Sequence, residues 1–296
     1  MSDRTHADQL QAPPVALTAG QSGAERGVAL VNGARLAYEL TGSGPALVLI
    51  HAGVADQRMW EPQLSDLAAQ YRVLRFDLRG FGQSDLPPGP FAMRDDIYAL
   101  LTQLGIRSAH LLGCSIGASI ALDVALEHPE LVAALVLVSA GSGGTRPPSP
   151  VLREYGEAEE AAQRAGDAAR YAELNVRTWV VGPRRRPEQV PIAVREYVTQ
   201  ACLHDFDRHW DEVEPRRLSP PAFSRLEEVR APTLVLAGGE DVPDILEAAD
   251  ILATRVPDVR KVIMPGAAHL PNMEQPDRFN QLVLDFLRAV DVGRAT

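Results

Sequence analysis

Six short runs of almost continuous apolar residues recur along the chain, at 46–50, 73–76, 109–112, 135–138, 233–236 and 261–264. A continuous apolar run is typical of a strand that is buried on both faces, as in a parallel sheet. Between these runs, apolar residues recur with helical spacing over 60–70, 93–104, 116–128, 246–255 and 277–290. Strands that alternate with helices predict a parallel sheet covered by helices on both faces.

The chain before the first of these runs predicts an antiparallel pair of strands. Residues 28–31 are apolar, and residues 35–40 alternate, with Leu36, Tyr38 and Leu40 on one face. Asn32-Gly33 lies between the two segments, and this dipeptide favours a type I′ turn because both central residues need positive φ. We therefore expect a hairpin at the start of the folded region.

Residues 1–26 are rich in Gln, Ala, Pro and Gly and have no apolar core flanked by positive charge. We expect a disordered N-terminal tail here and no signal peptide. No stretch of about 18 apolar residues without charge occurs, so the sequence predicts no transmembrane helix. The only cysteines are Cys114 and Cys202, too few for a disulfide framework, and a reducing, cytoplasmic location is the simplest interpretation.

The alternation of strand and helix stops between about residues 141 and 230. This stretch is rich in proline, lacks clear β-like runs and contains charged helical segments at 157–170 and 191–204. It predicts a mostly helical cap over 143–222, inserted between the sixth and seventh strands of an eight-stranded sheet. The core domain would then comprise residues 27–142 and 223–296.

A candidate nucleophile follows the third buried run. Gly113-Cys114-Ser115-Ile116-Gly117 joins this predicted strand to an apolar helix, and so tight a reversal needs glycine. The turn would expose Ser115 at the carboxyl end of the strand, where the Ile116 N–H at the helix N-terminus can stabilise an oxyanion. A serine that only caps the helix is an equal alternative on the motif alone.

A serine nucleophile needs a base, and the base needs an orienting acid. His269 lies in a Gly/Ala-rich loop after the run at 261–264, and Asp241 follows the run at 233–236. Asp241 could instead cap the helix near Pro243, and Glu240 is the alternative acid. All three predicted triad members thus follow strand ends, where parallel sheets form their binding crevices.

The order Ser115, Asp241, His269 is that of α/β-hydrolases. Together with His51-Ala52-Gly53-Val54 and with Arg75-Phe76-Asp77-Leu78-Arg79-Gly80-Phe81-Gly82-Gln83-Ser84, the chain resembles cap-bearing α/β-hydrolases. This branch includes 3-oxoadipate enol-lactonases and small-molecule carboxylesterases.

The resemblance assigns further residues to roles. Gly53 aligns with the second oxyanion N–H donor, although Ala52 replaces the usual glycine and leaves Val54 as an alternative. His51 corresponds to a structural histidine.

In the second motif, Asp77 and Arg79 are expected to pair with each other. The central residue of the elbow is serine, so thiol chemistry at Cys114, which should face the core, is not expected.

These observations predict a hydrolase that cleaves a small carboxylic ester or lactone through an acyl-enzyme on Ser115. Position alone suggests that Val54, Tyr155, Trp179 and Trp210 line the substrate pocket. The histidines lack metal-ligand spacing, so neither a metal nor a cofactor is expected. The formal net charge of −10 argues against binding to nucleic acid or to an anionic membrane.

Three other functions stay open at this stage. The same triad can hydrolyse a carbon–carbon bond or support cofactor-free perhydrolysis, and a ligand receptor can be built on the same fold. The oligomeric state is also open, with a homodimer as one alternative.

Overall fold

The structure, a computed structural model, describes residues 18–19 and 23–295. Within them the strands are β1 Thr18–Ala19, β2 Glu25–Val31, β3 Ala34–Thr41, β4 Ala46–Ile50, β5 Arg72–Phe76, β6 Gly89–Phe91, β7 Ala109–Cys114, β8 Val132–Val138, β9 Val213–Pro215, β10 Thr233–Gly238 and β11 Val259–Met264. The α-helices are α1 Glu61–Ala68, α2 Met93–Gln103, α3 Ile116–Glu127, α4 Pro150–Arg164, α5 Ala168–Asn175, α6 Ile192–Asp205, α7 Pro243–Arg255, α8 Pro271–Glu274 and α9 Pro276–Ala295.

The main sheet has the strand order β1-β2-β3-β5-β4-β7-β8-β10-β11. All pairs from β5 to β11 are parallel, whereas β1, β2, β3 and β5 pair antiparallel. The predicted sheet of eight mostly parallel strands is confirmed, and the two-residue β1 adds a short ninth strand at its edge. The carboxyl ends of β4, β7 and β10 therefore meet at one edge of the sheet.

The N-terminal hairpin forms as predicted, with positive φ at both turn residues, 47° at Asn32 and 80° at Gly33. The first strand of the hairpin, β2, begins earlier than expected, at Glu25. Glu25 pairs with Ala19 and Arg26 pairs with Thr18 of β1. Arg26 Nε also lies 2.7 Å from Glu39 Oε2 on the neighbouring strand. The prediction of a disordered tail is therefore wrong for these strand residues, while residues 1–17 and 20–22 lie outside the described part.

Strand β4 shows why continuous apolar runs were a reliable signal. Its side chains alternate between two cores on opposite faces of the sheet. Val48 and Ile50 pack in the core that α2, α3 and α7 cover. Leu47 and Leu49 pack in the core that α1 and α9 cover. Since both faces are covered by helices, both sets of side chains must be apolar.

The segment between β8 and β10 contains α4, α5, a π-helical turn over Val176–Val181, and α6. These two strands are the sixth and seventh of the eight longer strands, where the insertion was expected. The segment also contains one short strand that the sequence pattern did not predict, since β9 pairs in parallel with β6. This pairing joins the insertion to the core. Each of the two strands has only three residues, one of them a proline, so neither shows a β pattern in the sequence. The boundaries 143 and 222 stay a prediction.

Candidate active site

Ser115 lies at the junction of β7 and α3 in a strained conformation. Its φ is 55° and its ψ is −114°, which is rare for a residue other than glycine. The Ser115 N–H donates to Val138 O at 2.8 Å, and the side chain makes no capping hydrogen bond to the helix. The interpretation of Ser115 as a capping serine is therefore not favoured, and strain of this kind is concentrated at functional sites.

The two glycines of the motif are required by close backbone contacts. A Cβ at Gly113 would lie 2.2 Å from Gly117 O. A Cβ at Gly117 would lie 2.3 Å from Ile50 O, at the end of β4. Because backbone atoms cannot move aside, only glycine fits at either position. The same contacts press the start of α3 against the loop that follows β4.

His269 and Asp241 form a buried pair. His269 Nδ1 lies 2.8 Å from Asp241 Oδ2, and both residues are almost fully buried. Asp241 Oδ1 accepts a hydrogen bond from the Val242 N–H at 2.8 Å, so both carboxylate oxygens are occupied. Glu240, the alternative acid, is partly exposed and pairs with Arg184 at 3.1 Å. The geometry therefore favours Asp241 as the partner of the imidazole.

The loop that carries His269 lies against the serine elbow. Cys114 Sγ is 3.7 Å from the main-chain oxygen of His269, and Cys114 is fully buried. Burial, together with the nearby charge of Asp241, raises the pKa of the Cys114 thiol far above its usual range. A neutral thiol facing the core is a poor nucleophile, whereas its neighbour Ser115 is partly exposed.

Gly53 lies next to Ile116, the other predicted oxyanion donor. A Cβ at Gly53 would be 3.6 Å from Ile116 Cγ2, and Gly53 itself is exposed. His51 is buried beside it, where Nε2 accepts a hydrogen bond from the Leu78 N–H at 2.9 Å and Nδ1 lies 2.8 Å from Ala52 O. Both ring nitrogens thus hold the loop in place, the structural role that the resemblance implied. The choice between Gly53 and Val54 as the donor stays open.

The expected pairing of Asp77 with Arg79 is wrong. Asp77 accepts hydrogen bonds from the main-chain N–H groups of Gln57 and Gln83, at 2.8 and 2.9 Å. Arg79 forms a bidentate ion pair with Asp96 of α2, at 2.7 and 2.8 Å. The two side chains have different partners, since Asp77 holds two loops together, whereas Arg79 reaches α2.

Two of the four residues predicted to line the pocket, Val54 and Trp210, line a cavity beside Gly53, and a third, Trp179, contacts His269 but lines neither cavity described below. The Trp179 ring packs on the His269 ring with centroids 4.5 Å apart, and Trp179 O accepts the His269 N–H at 3.2 Å. Val54 and Trp210 line a cavity of about 200 Å³ directly above Gly53.

The prediction that Tyr155 lines the substrate pocket is wrong. Neither this cavity nor the larger one beside Ile116 has Tyr155 among its lining residues. Gln163 lines the cavity instead, two helical turns and about 12 Å further along α4 on the same face.

Several residues of this cavity were missed by the sequence analysis. They come from the insertion and include Tyr171, Cys202, Asp205 and Phe206. Burial raises the pKa of Tyr171 to about 12 and also raises the pKa of Asp205. No spacing in the sequence could have identified them, because they converge only when α5 and α6 pack against the core.

A buried ion pair connects the insertion to the loop of His269. Arg185 Nη1 lies 2.6 Å from Glu274 Oε2, and both side chains are more than nine-tenths buried. Arg185 also donates to Val181 O and Gly266 O, while Glu274 Oε1 accepts the Ala268 N–H at 2.8 Å. The ion pair thus fixes both ends of the segment that leads to His269.

Replacing Glu274 with glutamine would leave the buried guanidinium of Arg185 without its counter-charge. We expect a loss of stability of about 3–5 kcal/mol, measured as a lower midpoint of urea unfolding. Glu173→Gln is the matched control, because Glu173 pairs with Arg170 on the surface. Exposed pairs contribute about 0–1 kcal/mol, so equal shifts for the two variants would contradict a stabilising role for the buried pair.

Neither a metal cluster nor a membrane-spanning helix is found in the described region. Among residues 18–19 and 23–295, no group of three or more His, Cys, Asp or Glu side chains is arranged to hold a metal ion. None of the helices described there combines the length and apolarity needed to cross a bilayer.

Two curated relatives match most of the chain. A Caulobacter sp. (strain K31) protein named carbamate hydrolase RutD is 31% identical over 84% of this chain and 95% of its own length. The 2-hydroxy-6-oxononadienedioate/2-hydroxy-6-oxononatrienedioate hydrolase 2 of Pseudomonas putida is 31% identical over 88% of this chain and 90% of its own length.

Solved structures of related enzymes agree with the fold. The enol-lactonase from Burkholderia xenovorans LB400 superposes with a TM-score of 0.72 at 24% identity, covering 88% of this chain and 100% of its own. A thermophilic esterase from Thermogutta terrifontis has a TM-score of 0.66 at 30% identity, covering 90% and 98%. The model of the alpha/beta hydrolase fold family matches residues 45–276. This chain is therefore a hydrolase that belongs to the α/β-hydrolase fold family.

Proposed function

We propose that this protein is a serine hydrolase that cleaves a small carboxylic ester or lactone through an acyl-enzyme on Ser115. One observation carries the proposal. The buried pair of His269 and Asp241, joined at 2.8 Å, lies against the elbow that holds Ser115 at a φ of 55°. This is the set of groups that activates a serine, a base held by an acid close to a partly exposed serine.

In the first half-reaction, Ser115 Oγ attacks the carbonyl carbon while His269 Nε2 accepts the hydroxyl proton. The bond between Asp241 and Nδ1 keeps Nε2 free to act as the base and stabilises the imidazolium. Burial of the pair strengthens this interaction, because little water competes for the carboxylate.

The negative charge on the carbonyl oxygen needs N–H donors. Ile116 is the first residue of α3, so its N–H has no partner within the helix and lies at the positive end of the helix dipole. Gly53, beside Ile116, supplies the second donor in this proposal. Each donor contributes about 3–4 kcal/mol to stabilisation of the transition state.

Collapse of the tetrahedral intermediate breaks the ester C–O bond, and the imidazolium gives its proton to the leaving alkoxide. In the second half-reaction, water attacks the acyl-enzyme while His269 again accepts the proton. The products are a carboxylic acid and an alcohol, or one hydroxy acid from a lactone. No cofactor takes part in the proposed cycle, and the proposed partner is a small-molecule ester or lactone.

A carbon–carbon hydrolase is the second candidate, favoured by the 31% identity to the Pseudomonas putida hydrolase. The two functions are distinguished by assaying the purified protein on p-nitrophenyl acetate and on a 2-hydroxy-6-oxodienoate. We expect saturable ester hydrolysis and negligible consumption of the dienoate. Turnover of the dienoate without ester hydrolysis would overturn the proposal in favour of the second candidate.

A further inference from the structure

Two cavities meet at Trp210. The cavity of about 200 Å³ above Gly53 and Val54 is lined by Trp210 on one side. A second cavity of about 560 Å³ begins at Ile116 and continues along α3, and Trp210 lines it as well. The two predicted oxyanion donors lie side by side, Gly53 at the smaller cavity and Ile116 at the larger one, and Trp210 lines both cavities.

The indole of Trp210 is held firmly in this position. Its ring packs on the Phe81 ring, with centroids 5.4 Å apart and an angle of 56° between the planes. It also lies against Gly80, where a Cβ would come within 2.7 Å of Trp210 Cζ2. Gly80 has a φ of 83° and allows this close contact. The Trp210 ring is therefore packed against Gly80 and Phe81 and forms a wall that the two cavities share.

The two cavities differ in chemistry as well as in size. The larger one is lined mostly by apolar surface, including Ile116, Ile120 and Phe223, and also by the charged side chains of Arg94, Asp123, Arg216 and Arg217. The smaller one presents the polar groups of Gln163, Tyr171 and Asp205 above Gly53. A carbonyl held by the N–H groups of Gly53 and Ile116 would therefore have a large space on the Ile116 side and a small, more polar one on the Gly53 side.

We propose that Trp210 divides the substrate site into two compartments and so selects the class of ester. The substrate has one large apolar substituent, which lies against Ile116 and Ile120, and one small substituent, which lies above Gly53 and Val54. An ester with two large substituents is excluded, because the second would have to fit into the cavity of about 200 Å³ that Trp210 separates from the larger one. This inference rests on the proposed function.

The test compares kcat/KM for three esters. Phenyl acetate has one large substituent, methyl acetate has none, and p-nitrophenyl octanoate has two. We expect the wild-type protein to prefer phenyl acetate and to hydrolyse p-nitrophenyl octanoate poorly. Trp210→Ala joins the compartments and should raise the ratio of octanoate to phenyl acetate activity by about tenfold or more. An unchanged ratio in a folded variant would overturn the proposal.

A second variant keeps the proposal testable if Trp210→Ala fails to fold. Ile120→Trp fills the larger compartment and should lower kcat/KM for phenyl acetate by about tenfold while sparing methyl acetate. The matched control is Ile192→Trp, because Ile192 is an exposed residue of α6, 61% accessible. Equal effects on both esters would contradict the two-compartment site. Failure of the wild type on every ester would instead reject the proposed function itself.

Discussion

Replacing Ser115 with alanine is expected to lower kcat for ester hydrolysis on the order of 10⁶-fold, as in other enzymes that lose a serine nucleophile. The substitution removes the only atom that can form the acyl-enzyme in the proposed mechanism. Binding should change little, because alanine leaves the glycine contacts of the elbow intact. The measurement is steady-state hydrolysis of p-nitrophenyl acetate, with the unfolding midpoint recorded to show that the variant is folded.

Ser108→Ala is the matched control for this prediction. Ser108 is exposed and precedes the same strand, β7, at the end opposite to Ser115. The loss of a hydroxyl there should leave kcat within twofold of the wild-type value, roughly the scatter expected for a surface substitution. Ester hydrolysis by Ser115→Ala at the wild-type rate would require another nucleophile and would remove the basis of the mechanism.

Replacing Asp241 with asparagine is expected to lower kcat by about 10⁴-fold. The amide keeps the size of the carboxylate, but its nitrogen cannot accept a hydrogen bond from the Nδ1–H group of His269. The wrong tautomer of the imidazole is then favoured, and the imidazolium loses its stabilising charge. The variant should retain its fold, since one carbonyl oxygen can still accept the Val242 N–H.

Glu240→Gln provides a direct comparison with the neighbouring carboxylate. Glu240 pairs with Arg184 at the surface of the insertion and makes no contact with His269 among the described interactions. Its replacement should have little effect on kcat, because exposed ion pairs are weak. A larger loss for Glu240→Gln than for Asp241→Asn would show that the acid has been assigned to the wrong residue.

The core of the fold could be predicted because its physical signal is local. A strand such as β4 is covered on both faces, so every side chain must be apolar, and this is visible without any knowledge of its neighbours. The hairpin turn at Asn32-Gly33 is similarly local, since positive φ restricts the residue type. The positions of the candidate triad could be predicted for the same reason, because each of its residues follows the end of one of these strands.

The insertion was less predictable because its contacts are not local. The strand β9 exists only because β6 lies beside it, and neither sequence carries an alternating pattern. Tyr171 and Asp205 reach the cavity through the packing of α5 and α6, which helical periodicity does not specify. Tyr155 was predicted to line the pocket from its position alone, and it lies two helical turns from Gln163, the residue of α4 that lines the cavity.

The error at Asp77 and Arg79 has a similar cause. Two opposite charges separated by one residue suggest a pair, but their backbone directs them to different neighbours. Asp77 is held by N–H groups of adjacent loops, and Arg79 finds a buried carboxylate in Asp96. Sequence proximity is a weak guide when a distant partner offers a bidentate, buried interaction.

The covalent intermediate on Ser115 is the central claim, and active-site labelling tests it most directly. A fluorophosphonate reacts with an activated serine and forms a stable adduct that intact-mass spectrometry detects and peptide mapping locates. The account predicts one adduct per chain, on the peptide containing Ser115, together with loss of ester hydrolysis and no labelling of Ser115→Ala. An adduct on another residue that abolishes hydrolysis, or full hydrolysis by a protein labelled at Ser115, would contradict it.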